Sequence, residues 1–203
     1  MPPRRIWWLP GWCAAVLVGF GILAQYSAIP GPAGRPVKHW PVETSISRSE
    51  NRDTLILFLH PRCPCSSASL EEFNRLIAQA PAALEPHVVF VRPAGLPPKW
   101  EQTDLWSAAG AMPGVEVIVD NEGVEARRFG ATTSGTAVLF DCSGGQLFFG
   151  GITGARGHAG DNPGKSAVLS AISSGSAEPF SPPVFGCPLF DPVMGGGSET
   201  STP

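Results

Sequence analysis

The sequence predicts an α/β domain of three layers with a central mixed sheet, preceded by one N-terminal transmembrane helix. Three observations support this prediction: an uncharged apolar run near the N-terminus, alternating strand and helix patterns in the middle, and a hairpin followed by a last helix. A chain of 203 residues suggests one domain with attachments. The formal net charge of −3 and the absence of a basic stripe argue against nucleic-acid binding.

The uncharged run extends over residues 6–24 and follows Arg4 and Arg5. A membrane helix needs about 20 apolar residues, so the run is just long enough to span a bilayer. A cleaved signal peptide is the alternative, but Tyr26 is too large for the small-residue position of the nearest cleavage site. The two arginines favour the cytoplasmic side, which predicts a single-pass inner-membrane protein whose domain faces the periplasm or another extracytoplasmic space.

Composition divides the chain into four parts. Residues 1–29 form the anchor or signal-anchor, and 30–49 form a Pro/Gly-rich linker. The folded domain covers residues 50–175, and 176–203 form a Pro/Gly-rich tail. Within that tail the apolar stretch around Cys187 is suited to docking, whereas residues 191–203 have the composition of a free end.

Strand and helix patterns alternate through the domain. Short apolar runs with turn residues at their ends predict strands, and spaced apolar residues predict helices. In order, they are strand 54–60, a helical pattern from 66, strand 87–93, helix 99–109, strand 115–120, a short helix ending near 130, hairpin 136–151, and a last helix that has Pro163 in its first turn and runs to about Ser174, capped by Asp161 or Asn162.

Two cysteines with one proline between them, Cys63 and Cys65, lie where the first strand meets the first helix of the domain. The N-terminus of a helix favours a thiolate, and His60 adds to this effect when it is protonated. A disulfide between residues two apart is possible but strained, and strain makes it labile rather than structural. The pattern therefore predicts a redox-active pair.

The loop at 150–164 should lie at the same end of the sheet, because the second strand of an antiparallel hairpin runs back toward Cys63. This topology predicts Arg156 and His158 near the cysteine pair. His158 would stabilise a thiolate, relay a proton or bind a metal. In the alternative interpretation the loop only caps the fold, with Arg156 paired to Asp161 and His158 solvated.

The remaining cysteines have two possible arrangements. Cys13 lies in the membrane run and is most simply a small apolar residue. A structural disulfide between Cys142 and Cys187 is the economical prediction for an oxidising compartment. The alternative brings Cys187 across to Cys63 as a resolving cysteine.

The order of elements and the placement of the cysteines resemble the thioredoxin-like superfamily, especially its membrane-anchored extracytoplasmic members. The resemblance covers residues 50–175, and the stretches HPRCPC and GGITGARGHAGDN resemble the narrower group labelled RedB-like. Two features depart from the pattern of the superfamily. One residue instead of two separates the cysteines, and Gly135 stands at the position of the family's cis-proline.

The resemblance implies a thiol–disulfide oxidoreductase that needs no cofactor and acts on protein thiols or disulfides outside the cytoplasm. Cys63 would be the nucleophile and Cys65 would resolve the mixed disulfide. The alternative is a copper metallochaperone in which Cys63 and Cys65, with His158 or His60, bind Cu(I). A thiol peroxidase is a weaker third possibility, because His60 replaces the threonine that precedes the reactive cysteine in peroxiredoxins.

Overall fold

A computed structural model describes residues 8–177 and 180–190 of the protein. These residues form five helices and five strands. In chain order they are α1 Trp8–Ser27, β1 Asp53–Leu59, α2 Ser66–Gln79, β2 Leu84–Arg92, α3 Asp104–Gly110, β3 Glu116–Asn121, α4 Val124–Arg128, β4 Thr136–Phe140, β5 Gln146–Gly151 and α5 Pro163–Ser174.

Helix α1 is long and apolar enough to cross a membrane. None of its 20 residues is buried inside the protein. An apolar helix that the protein does not cover is consistent with a single-pass anchor. Arg4 and Arg5, on which the predicted orientation depends, lie outside the described residues.

The five strands form one mixed sheet in the order β3-β2-β1-β4-β5. Strand β1 runs parallel to β2 and antiparallel to β4, which in turn runs antiparallel to β5. The predicted central mixed sheet is therefore confirmed. Because β1 lies in the middle and leads directly into α2, the residues after Leu59 lie at the centre of one end of the sheet.

Each face of the sheet carries its own hydrophobic core. Alternate residues of β1 point to opposite faces. Leu55 and Leu57 belong to the core covered by α2, α3 and α5, whereas Ile56 and Phe58 belong to the core covered by α4. This arrangement of helices on both faces of the sheet gives the three predicted layers.

Residues 30–49, which we expected to be a linker, pack on the α4 face of the sheet. Ile46 is buried, and the ring of Trp40 meets Phe129 and Phe140 edge to face, with centroids 5.1 Å apart in both pairs. The proline and glycine content indicates irregular backbone, but the apolar side chains between these residues are enough to dock it. The predicted division into four parts remains an expectation.

The structure corrects one predicted helix and reproduces another. The helix expected over residues 99–109 begins only at Asp104, because Lys99 has a positive φ of 71° and Thr103 is extended. By contrast, α5 has Pro163 in its first turn, as predicted, and begins at that residue. Its N-cap is Asn162, whose side chain accepts a hydrogen bond from the backbone of Lys165.

Candidate active site

Cys63 lies in the turn between β1 and α2. Its backbone N–H donates to the carbonyl of His60 at 3.1 Å, and its own carbonyl accepts from the N–H of Ser66 at the same distance. These bonds fold the Cys-Pro-Cys segment back, and Cys63 is only 5% exposed. Cys65 occupies the N-cap position of α2, and its side chain makes no capping bond. Both thiols therefore lie at the start of a helix, where the backbone N–H groups favour a thiolate.

A third thiol completes the site. The sulfur of Cys187 lies 3.1 Å from the sulfur of Cys63, although the two residues are 124 positions apart in the chain. All five cysteines are free thiols in this structure. Cys63, Cys65 and Cys187 therefore form a reduced cluster at the end of the sheet.

The three thiols differ in acidity. Burial works to raise the pKa of Cys63, but hydrogen bonds from the thiol and backbone of Cys187, and from the side chain of Ser66, lower it on balance. Burial and the negative charge of Cys63 raise the pKa of Cys65. Burial and the hydrogen bond to Cys63 raise the pKa of Cys187 to about 11. When one thiol of the cluster ionises, it is therefore Cys63, with the Cys187 S–H as donor.

Arg156, on the loop between β5 and α5, lies beside Cys65. Its charge and its side-chain hydrogen bond lower the pKa of Cys65, although burial and Cys63 outweigh them. Its Nη1 donates to the carbonyl of Gly186 at 2.7 Å, and its Nε donates to the carbonyl of Ile29 at 2.9 Å. Arg156 therefore joins the cysteine cluster to the segments at both ends of the domain, and it does not pair with Asp161, which binds Lys165.

The two candidate histidines have other contacts. The Nδ1 of His158 is 2.8 Å from the carbonyl oxygen of Arg156, and its side chain is exposed. The Nδ1 of His60 accepts from the backbone of Arg62 at 3.2 Å, and its ring packs edge-on against Trp100. The backbone of His60 shapes the turn that holds Cys63. The proposed roles of both imidazoles in thiolate chemistry remain expectations.

Sequence reasoning missed two serines beneath the cysteines. Ser66 and Ser134 are 1% exposed, and their hydroxyl oxygens lie 2.7 Å apart. Ser134 also accepts from the backbone N–H of His60 at 2.8 Å. Polar residues that become buried only through a contact between distant segments have no periodic signal in the sequence. Gly135, at the expected cis-proline position, has a φ of 96°, and a Cβ there would lie 2.7 Å from the Ser69 hydroxyl.

The economical pairing of Cys142 with Cys187 is not formed. Cys142 is an exposed thiol just after β4. Phe140 pairs with Thr54 at the start of β1, so Cys142 lies at the end of the sheet opposite Cys63. Cys187 instead lies against Cys63, which was the alternative arrangement. Cys13 is exposed on α1.

Within residues 8–177 and 180–190, no three side chains of His, Cys, Asp or Glu are grouped so that they could hold a metal ion. The Cu(I) ligand set expected from Cys63, Cys65 and His158 is therefore not assembled in this part of the chain.

No protein-family model and no curated protein sequence matches the chain. Solved structures do resemble it. An uncharacterized conserved protein from Geobacillus kaustophilus superposes with a TM-score of 0.59 at 17% identity, over 82% of this chain and 94% of that one. A hypothetical protein from Sinorhizobium meliloti gives a TM-score of 0.61 at 14% identity, over 78% and 97%. A secreted Mycobacterium tuberculosis disulfide oxidoreductase homologous to E. coli DsbE gives 0.43 at 15% identity, over 61% and 82%.

Similarity at these identities concerns the fold. The parallel β3-β2-β1 half, the antiparallel β4-β5 hairpin and the helix after β1 are the features on which the predicted resemblance was based. The cysteine pair lies at the junction of β1 and α2, as that resemblance implied. The chain therefore has a thioredoxin-like fold, with one apolar helix before it.

Proposed function

We propose that the protein is a membrane-anchored thiol–disulfide oxidoreductase that acts on protein thiols or disulfides outside the cytoplasm. The observation that carries the proposal is the thiol cluster at the start of α2, in which one buried cysteine has a lowered pKa and a second lies two residues away. A thiolate is the reactive form in disulfide exchange, so Cys63 is the nucleophile.

The reaction has two exchange steps. The Cys63 thiolate attacks one sulfur of a partner disulfide, and a mixed disulfide forms as the other partner sulfur leaves as a thiolate. The Cys65 thiol then loses its proton and attacks the Cys63 sulfur. A Cys63–Cys65 disulfide forms, the second partner thiol is released, and two electrons have passed to the partner. Run in reverse, the same steps oxidise a partner dithiol.

Arg156 assists the second step. Cys65 has a raised pKa and must ionise before it can attack. The neighbouring guanidinium favours the thiolate of Cys65, and the negative charge on Cys63 disappears once the mixed disulfide forms. The pKa of Cys65 should therefore fall at the moment when its thiolate is needed.

The location rests on the apolar helix and on the chemistry. Helix α1 has the length and composition of a membrane span, and an exchangeable disulfide is maintained most readily in an oxidising compartment. The arginines at positions 4 and 5 favour a cytoplasmic N-terminus, which puts the domain on the other side of the membrane.

The test uses the full chain in detergent micelles with a fluorogenic protein disulfide as the substrate and dithiothreitol as the electron donor. Cys63→Ser should abolish turnover. Cys65→Ser combined with Cys187→Ser should stop the reaction at a mixed disulfide that can be isolated with the partner, because Cys187 also contacts the Cys63 sulfur. The control Cys142→Ser should turn over as the unmodified chain does. Undiminished turnover by Cys63→Ser would refute the proposal.

A further inference from the structure

A short segment near the C-terminus, residues 180–190, lies across the cysteine cluster; we call it the strap. Cys187 accepts a hydrogen bond at its carbonyl from the N–H of Ser134 at 2.8 Å, and Leu189 donates to the carbonyl of Thr132 at 2.9 Å. Pro188 forms an antiparallel bridge with Thr133. The strap is therefore paired, strand-like, with the backbone just before β4.

The strap is fixed on both sides of Cys187. The carbonyl of Val184 accepts from the N–H of Gly31 at 2.8 Å, and Leu189 is 1% exposed in the core of the α4 face. At Gly186 a Cβ would collide with the backbone oxygen of Ser134, so the close approach of the strap depends on glycine. Cys187 is thus held against Cys63 by contacts that do not involve its own sulfur.

We propose that Cys187 is a third redox-active cysteine, which takes over the disulfide from the Cys63–Cys65 pair and thereby locks the strap across the site. This inference rests on the proposed oxidoreductase function, since that function supplies the oxidised Cys63–Cys65 pair. The locked strap keeps the Thr132 carbonyl and the Ser134 N–H occupied by hydrogen bonds to Leu189 and Cys187.

The transfer is a balanced exchange. The Cys187 thiol loses its proton, and its thiolate attacks the sulfur of Cys63. The Cys63–Cys65 bond breaks, the Cys63–Cys187 bond forms, and Cys65 leaves as a thiolate that takes up a proton. No electrons are gained or lost, so no external oxidant is required.

Two properties of the site favour this direction. A disulfide between cysteines two residues apart is strained, whereas Cys187 is already in contact with the sulfur it would attack, at 3.1 Å. In the reduced cluster the charge on Cys63 helps to keep Cys187 protonated. Oxidation of Cys63 removes that charge, so Cys187 becomes a better nucleophile only after the first disulfide has formed.

Disulfide mapping of the full chain in micelles tests the proposal. The chain is oxidised with glutathione disulfide, free thiols are blocked with N-ethylmaleimide, and the unreduced protein is cut with trypsin. Cleavage after Arg62, Arg75 and Lys165 leaves Cys63 and Cys65 together on peptide 63–75 and Cys187 alone on 166–203, while Cys142 falls on 129–156. The three candidate disulfides therefore give three different masses.

We expect peptide 63–75 to be joined to 166–203, and fragmentation to assign the bond to Cys63. The Cys187→Ser variant should lose this species and accumulate the internal disulfide of peptide 63–75. An internal disulfide in the unmodified chain with Cys187 blocked by N-ethylmaleimide would overturn the inference but leave the proposed function standing. A 129–156 to 166–203 product would also overturn it. Failure of Cys63 to form either disulfide would refute the proposed function itself.

A second variant tests the strap without altering a thiol. Gly186→Ala should lift the strap from Ser134 and lower the yield of the Cys63–Cys187 product in favour of the internal one. Gly110→Ala is the matched control, because a Cβ there meets nothing within 4 Å. An equal yield of the Cys63–Cys187 product from both variants would contradict the role of the strap in positioning Cys187.

Discussion

Glu72 offers the sharpest test of how the loop that carries Arg156 is held. Its side chain, in α2, is fully buried, and Lys165 Nζ lies 3.0 Å from its Oε2. Its Oε1 accepts from the N–H of Gly160 at 2.7 Å and pairs with Arg75 at 2.5 Å. One buried carboxylate therefore joins α2, the start of α5 and the loop between β5 and α5.

Glu72→Gln keeps the shape of the side chain and an acceptor for Gly160 but removes the negative charge. Removing one partner of a buried ion pair costs about 3–5 kcal/mol, because the other charge is left uncompensated. The Lys165 side chain is 11% exposed and retains Asp161 at 3.2 Å. We therefore expect a loss at the lower end, about 3 kcal/mol, and a fall in Tm of about 6–12 °C.

The assay is urea denaturation of the full chain in micelles, followed by circular dichroism. Glu71→Gln is a matched control, since the neighbouring side chain is 53% exposed and pairs only with Arg75 among the contacts described. Its free energy of unfolding should change by less than about 1 kcal/mol. If the two variants lose equal stability, the idea that Glu72 anchors the loop is wrong. Adding Lys165→Met to Glu72→Gln should recover much of the loss, because the uncompensated charge is removed while the introduced glutamine still offers an acceptor to Gly160.

Three further predictions concern titration and capping. The rate of Cys63 alkylation by iodoacetamide should rise with pH with a midpoint below that of a free cysteine, because the pKa of Cys63 is lowered. Cys187→Ala removes a hydrogen bond that lowers this pKa, so it should move the midpoint to higher pH, and an unmoved midpoint would contradict the role of that bond. Burial raises the pKa of Glu125, but hydrogen bonds, that of the Thr44 hydroxyl foremost, lower it on balance below 4.5. The stability that the ionised Glu125 contributes is thus present above pH 4.5 and is lost as the pH falls through its lowered pKa in the folded protein. The free energy of unfolding of Glu125→Gln in urea should therefore depend less on pH in the acid range, and an unchanged dependence would contradict this role of Glu125. Asn162→Ala should lower the free energy of unfolding by about 1–2 kcal/mol through loss of the α5 cap, measured by the same urea assay; a loss near zero would argue against the cap.

The fold was largely predictable because its elements have local signals. Apolar runs predicted the strands, and Asn162 with Pro163 predicted the start of α5. The boundary of α3 was placed too early, because the apolar pattern from Trp100 onward gave no sign of the extended N-cap at Thr103. The docking of residues 30–49 was also missed, since it depends on contacts with distant residues, among them the packing of Trp40 against Phe129 and Phe140.

The site was predictable where topology alone decides position. Strand order was enough to bring Arg156 to the cysteine pair. The sequence left two possible partners for Cys187, namely Cys142 and Cys63, because a segment of irregular backbone can reach either end of the sheet. What places it is a set of backbone hydrogen bonds and the missing side chain of Gly186, and neither leaves a pattern in the sequence.

The two ends of the domain meet at the backbone before β4: Gly31 donates to Val184, and Thr133 donates to the carbonyl of Pro32. Contacts between segments so far apart in sequence close long loops of the chain, and closing a longer loop costs more conformational entropy. They are also natural units of partial unfolding, because they can separate while the sheet keeps its own hydrogen bonds. In native-state hydrogen exchange the amides of Gly31 and Ser134 should therefore exchange before those of β1. Opening of the thiol cluster would then be a local event that leaves the sheet of the native protein intact.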